Sequence, residues 1–185
     1  MLERLLSEPD SLQRLVLGST LRRIKIRTHY LTGKSAAKIE GFISRHECDP
    51  DPELDVYPIT IEIDSVGEMK KVDWEAVEHL CVTIRNTRMG VVGLVTGMCS
   101  GSGLYVLQAC HLRLAEANTQ LQFSGLSQTF GGVGWKETAK LFAERTHGRL
   151  SPEEILMIIH GGYGIPAKDA LGLGLLDRII DGPQS

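Results

Sequence analysis

The run Val91–Leu121, VVGLVTGMCSGSGLYVLQACHLRLAEANTQL, decides how the rest of the chain is read. Its opening residues Val91, Val92, Leu94 and Val95 are apolar and mostly β-branched, the pattern of a buried strand. That strand stops at Thr96-Gly97. Cys99-Ser100-Gly101-Ser102-Gly103 then opens a helix expected over Leu104–Cys110, and Leu112–Ala115 follows as a second strand. Small residues at a strand-to-helix turn let another group approach the backbone, and the first amides of a helix have no partner within it. At the positive end of the helix dipole, those amides suit developing negative charge. A tight turn that uses glycine only for packing is the alternative, because short glycine motifs are weak signals.

Outward from this run, the elements alternate. Pro58–Asp64 (PITIEID) reads as a strand, with Ser65-Val66-Gly67-Glu68 as the loop at its carboxyl end. Asp73 caps a helix reaching Asn86, with Trp74, Val77, Leu80, Cys81 and Ile84 on the core face. Strand, loop, helix, strand, helix, strand is the order of a parallel sheet with crossover helices. In such sheets ligands bind beyond the carboxyl ends of the strands. Gly67 and Gly101-Ser102 fall at two such ends, on successive strands, which points to a paired oxyanion hole.

Upstream, residues 1–18 form a helical arm interrupted at Ser7-Glu8-Pro9-Asp10-Ser11. Leu21–Tyr30 alternates basic and apolar side chains. It reads as a strand with one wet face, either a solvated edge or a contact for a nucleotide phosphate. Ser35–His46 is a helix with Ala36, Ile39, Phe42 and Ile43 inward, and Asp49–Glu53 is an acidic surface turn. Downstream, Gln122–Trp135 is a glycine-rich polar loop that suits a lid over the site or a mobile connection, followed by a helix over Trp135–Glu144. Ser151-Pro152-Glu153-Glu154 starts another helix with a capping-box pattern, which ends at Gly161-Gly162. Ala167–Leu173 is a last helix stopped by Gly174, and Leu176–Ile180 a last strand.

Composition fits one domain over residues 1–185. Twenty Lys and Arg against 23 Asp and Glu leave a net charge of −3, with no basic surplus for nucleic acid or an anionic membrane. The four cysteines have no C-x-x-C spacing and read as reduced thiols of a cytoplasmic protein. Glu3, Arg4 and Glu8 break the apolar N-terminus, which reads as neither a signal peptide nor a membrane span. No His, Cys or carboxylate cluster has metal-ligand spacing, so no metal is expected.

Gly97-x-x-x-Gly101-Ser102-Gly103 followed by Ala109-Cys110-His111-Leu112-Arg113-Leu114-Ala115 resembles the G-x-x-x-G-G-G…A-C-D-x-R-x-A signature of the crotonase (enoyl-CoA hydratase/isomerase) superfamily. Ile165-Pro166-Ala167-Lys168-Asp169-Ala170 through Gly174-Leu175-Leu176-Asp177-Arg178-Ile179 is similar to its I-x-A-x-E-A-x-x-x-G-L-V-D-x-V segment. Clp-type serine proteases share this core, and Ile63-Asp64-Ser65-Val66-Gly67-Glu68 resembles their I-N-S-P-G-G. The resemblance spans roughly residues 55 to 181. It implies an α/β fold of Clp-protease/crotonase type, a ββα superhelix with a parallel sheet and crossover helices.

The resemblance also implies chemistry. The oxyanion amides of crotonases map to Ser102 and to a donor within Val66, Gly67 and Glu68. A side chain at Ser102 leaves its N–H in place. The two hydratase glutamates map to Tyr105 and to about Gly125, so ordinary hydration of a double bond is not expected. Tyr105 is either packing or a hydrogen-bond donor and weak acid. Glu68 and Asp64 are candidate bases, while Gly101, Gly97 and Gly103 shape the turn that receives the substrate. The nucleophilic serine and catalytic histidine of Clp-type proteases map to Gly101 and about Ser124. A displaced nucleophile (Cys99, Ser100 or Ser102) with His29, His111, His147 or His160 is the peptidase alternative. The expected substrate is an acyl thioester of coenzyme A or of a phosphopantetheine carrier protein, with no cofactor. A homo-oligomer, trimeric or trimer-based, is expected, and a non-catalytic assembly partner is the remaining alternative.

Overall fold

The computed structural model describes residues 23–27, 32–48, 58–64, 73–123 and 135–180. Within them, β1 (Arg23–Arg27), β2 (Ile59–Asp64), β3 (Val91–Val95), β5 (Leu112–Glu116) and β8 (Arg178–Ile180) form a parallel sheet in the order β1-β2-β3-β5-β8. The helices between these strands are α1 (Gly33–Cys48), α2 (Trp74–Asn86) and α3 (Gly101–Ala109), then α4 (Trp135–Arg145), α5 (Pro152–Gly161) and α6 (Ala167–Leu173). A second, three-stranded sheet joins β4 (Met98–Ser100), β6 (Gln120–Gln122) and β7 (Gly164–Pro166) in the order β4-β6-β7. There β4 and β6 run parallel, and β7 is antiparallel to β6.

Alternation along the strands divides the core. Parallel register sets Ile59, Ile61 and Ile63 beside Val91, Gly93 and Val95, and all the apolar side chains in this group are fully buried. The opposite face carries Val92, Leu94, Leu112 and Leu114, with Ile180, as a separate apolar cluster. Both faces of β3 are therefore buried, as its unbroken apolar sequence predicts. At Gly93 a Cβ would lie 2.9 Å from Leu107 Cδ1 and 3.0 Å from Cys110 Sγ. Glycine at that position lets α3 seat directly on the central strand.

The wet-edge reading of the basic strand matches the structure. β1 is an edge strand, and Arg23 and Lys25 both pair with Glu62 of β2, at 2.9 and 3.0 Å. α2 spans the expected residues, its Asp73 side chain accepting from the Ala76 N–H, and Val77, Leu80, Cys81 and Ile84 are buried. α5 begins with the reciprocal Ser151–Glu154 capping box and ends on a left-handed Gly162.

Two expectations need correction. The helix of the central run begins at Gly101, three residues before the expected Leu104, and ends at Ala109 rather than Cys110. Cys99 does not belong to a helix-opening turn: it is the middle residue of β4, fully buried, pairing with Leu121. The second sheet as a whole was unexpected. The N-terminal arm and the glycine-rich stretch 124–134 lie outside the described residues. No described helix is long and apolar enough to cross a membrane.

Candidate functional site

The strands of the large sheet are parallel, so their carboxyl ends share one rim. β2 ends there at Asp64 and β3 at Val95; the chain then turns through Thr96-Gly97, forms β4, and enters α3. Gly97 has φ +76° and open space where a Cβ would stand. Gly101, first residue of α3, has φ +54°, a left-handed conformation that costs an L side chain roughly 1–2 kcal/mol. The structure thus turns α3 so that its amino end sits at the sheet's carboxyl rim, with Ser102 and Gly103 in its first turn. The macrodipole places about half a positive charge at that end. Ser102 is fully buried and Met98 is 45% exposed, so the turn is sheltered on one side and open on the other.

The expected site residues separate into two groups. Gly97, Gly101, Ser102 and Gly103 come together at this turn. Val66, Gly67 and Glu68, the expected second donor and candidate base, lie outside the described residues. Asp64 is the last residue of β2 and pairs in register with Arg27.

Tyr105 follows Ser102 by one helical turn and is 7% exposed. Its hydroxyl is hydrogen-bonded to the Arg85 side chain of α2, and burial pushes it above the ordinary tyrosine value, so the phenol stays protonated at neutral pH. This contact joins residues of two helices twenty positions apart, and nothing local in the sequence signals it.

His111 lies just beyond the far end of α3, which at nine residues is about 13 Å long. Its Nδ1 accepts from the Val91 N–H at 3.2 Å, and its backbone N–H donates to the Val91 carbonyl at 2.9 Å. Burial, then the Arg145 charge, lowers its pKa, so a neutral imidazole pins the start of β3 to the α3–β5 connection. His147 and His160 are exposed on the turn after α4 and at the end of α5. Burial pushes the Cys110 thiol up to about 12 and the Cys81 thiol higher still, which keeps both from acting as thiolates.

At this same far end the two resembling motifs meet. Arg113, 3% exposed, donates from Nε and Nη2 to the two Asp177 carboxylate oxygens at 2.9 and 2.7 Å. Its backbone N–H donates to Asp177 as well, and its Nη1 to Gln108 Oε1 at 2.9 Å. Gln108 Nε2 in turn donates to the Leu175 carbonyl. Among the described residues no group of His, Cys, Asp and Glu is arranged to hold a metal ion.

No family model matches the chain. Over 121 residues it is 27% identical to the peroxisomal fatty acid beta-oxidation multifunctional protein AIM1 of Arabidopsis thaliana, covering 64% of this chain and 16% of that protein. It is 26% identical over 111 residues to human mitochondrial enoyl-CoA delta isomerase 1, covering 60% and 35% of the two chains. It is 31% identical over 104 residues to the human peroxisomal bifunctional enzyme, covering 56% and 13%. The matched segments therefore span about a third or less of these relatives. Among solved structures, ClpP1 from Listeria monocytogenes superposes with a TM-score of 0.67 at 20% identity, covering 92% of this chain and 96% of that one. The chain thus has a fold of the Clp-protease/crotonase type, and over part of its length it is similar to these enoyl-CoA isomerase and beta-oxidation proteins.

Proposed function

We propose that the chain binds an acyl thioester, carried by coenzyme A or by a phosphopantetheine carrier protein, and polarises its carbonyl with backbone amides. The Ser102 N–H is one donor and an N–H within Val66–Glu68 the other, Gly67 standing at its centre. The observation that carries the reading is left-handed Gly101 at the head of α3, beyond the carboxyl ends of β2 and β3. An enolate or tetrahedral oxyanion formed there meets a preorganised positive field. Gly97 and Gly103 leave room for the substrate, Glu68 serves as base, and no cofactor takes part. Such chemistry fits isomerisation, decarboxylation or thioester hydrolysis, and a cytoplasmic homo-oligomer is proposed with it.

The test separates the amide from the side chain. Ser102→Ala keeps the N–H; Ser102→Pro deletes it, and proline is tolerated in the first turn of a helix. Calorimetric titration and turnover assays with short-chain acyl-CoA and acyl-pantetheine thioesters are the readouts. Cys99, fully buried, offers no handle for a thiol reagent. Ser102→Ala is expected to retain turnover, while Ser102→Pro with intact circular dichroism loses it by about 10²–10³-fold. Equal turnover in both variants overturns the reading.

One observation favours a second reading. At the hydratase acid/base position Tyr105 is buried and tied to Arg85 instead of presenting a carboxylate. A member that has given up catalysis and serves as an assembly or binding partner fits that arrangement. A folded chain that binds none of the thioesters supports it.

A further inference from the structure

We propose that the second apolar face of the five-stranded sheet is the docking surface for the chain's own first 22 residues; the inference does not depend on the acyl-thioester reading. This face carries Val92 and Leu94 of β3, Leu112 and Leu114 of β5, and Ile180 of β8, all buried. Strand residues alone make up the cluster. The buried apolar side chains of α1 to α6 belong to the other cluster, among them Ile43, Leu80, Leu104, Phe142, Ile159 and Ala170. The parallel strands follow one another across the sheet in chain order, so right-handed crossovers set these helices on one side of it. The face on β3, β5 and β8 is therefore buried with no described helix upon it.

The chain itself supplies the occupant. Residues 28–31, 49–57 and 65–72 join strands to helices of the crossover side, and 124–134 leads into α4. Residues 181–185 are Asp-Gly-Pro-Gln-Ser, with no large apolar side chain to bury. Residues 1–22 hold Leu2, Leu5 and Leu6, then Leu12, Leu15 and Val16. Each triplet is spaced i, i+3, i+4, as on one face of a helix. This segment leads directly into Arg23, the first residue of β1. Register sets Lys25, Glu62 and Leu94 in line across β1, β2 and β3. On β1 and β2 the same face is polar, with Arg23 and Lys25 paired to Glu62, which confines the apolar footprint to β3, β5 and β8. From β1, two strand spacings reach β3 and three reach β5, about 10 and 14 Å. Residues 18–22 can span up to about 17 Å when extended, which brings the second triplet within reach of the cluster.

Methyl NMR on the full chain tests this. Through-space contacts are expected between the methyls of Leu12, Leu15 and Val16 and those of Leu94, Leu114 and Ile180. Contacts from these three residues to another surface, or none at all, overturn the proposal. A sample refolded from a mixture of isotope-labelled and unlabelled chains separates the source of the segment. Contacts that cross between the two kinds of chain assign the face to a second copy's segment, which overturns the proposal as well. Substitution supplies an independent readout. Leu12→Ala and Leu15→Ala are each expected to lower the thermal midpoint by about 5 °C or more, because each truncates a leucine buried against the sheet. Arg14→Gln, opposite the same helical stripe, is expected to leave the midpoint unchanged. Parental midpoints in both leucine variants overturn the docking.

Discussion

The two ends of α3 are built on opposite principles. At its carboxyl end the Ala109 carbonyl accepts from Arg145 Nη2, the Cys110 thiol donates back to Val106, and the buried Gln108–Arg113–Asp177 chain ties the helix to β5 and to the approach to β8. At its amino end Ser100 withholds its cap, Gly101 is left-handed and Gly97 faces open space. Arg113 and Asp177, which match the superfamily pattern, hold the fastened end. Ser102 and Tyr105, where the chain departs from that pattern, belong to the amino-terminal half. The residues that match the resembled motifs therefore lie where this scaffold is held, and the departures lie toward its open end. His111, where the resembled signature has an aspartate, is the exception at the fastened end, and its ring accepts from the Val91 N–H.

Asp177→Ala should break the comparison most severely. It strands a guanidinium that is 3% exposed, and removing one partner of a buried pair costs about 3–5 kcal/mol. Urea denaturation followed by circular dichroism measures it; a loss under about 1 kcal/mol would mean the far end is not fastened by this pair. Gly93→Ala is expected to come next. Its methyl would press on Leu107 and Cys110, and overpacking of this kind costs about 1–3 kcal/mol. An unchanged denaturation midpoint would show that α3 can shift on β3, and the fixed seat assigned to it would have to be abandoned.

What the sequence disclosed follows the same division. α2 and α5 carry their own boundaries, because Asp73 and the Ser151–Glu154 pair act within one turn and Gly162 stops the chain locally. The five-stranded sheet was legible from apolar runs separated by helical spacing. Strands β4, β6 and β7 were not. Each has three residues, one contains proline, and they exist because residues far apart in sequence pair: Cys99 with Leu121, and Leu121 with Ile165. The turn at Gly97–Gly103 was found from its glycines, but the withheld cap at Ser100 depends on a backbone angle that no residue type announces. Tyr105 was readable as packing or as donor, and the choice of Arg85 as its partner is set by how α2 lies against α3.

The smallest effect sharpens the comparison through pH. His111, at the fastened end, has its pKa lowered by burial and then by Arg145. His79 lies on the groove between α1 and α2, where its Nδ1 is 2.7 Å from Glu40 Oε1; that hydrogen bond, then the Glu40 charge, raises its pKa. The two shifts act on stability with opposite signs. The His79 contribution is present below the ordinary value of 6.5 and is lost as pH rises through its folded pKa. The His111 contribution is present above 6.5 and is lost as pH falls through its folded pKa, because the unfolded chain takes up a proton the folded one refuses. His79 is largely exposed, where ion pairs are worth little. His111 should therefore set the direction, with stability declining on acidification below 6.5. Imidazole titration by NMR is expected to place His79 above and His111 below the ordinary value, and Glu40→Gln should return His79 alone toward it. A His111 that titrates above the ordinary value would mean its ring is not held neutral against Val91, and the far end of α3 would lose one of its fastenings.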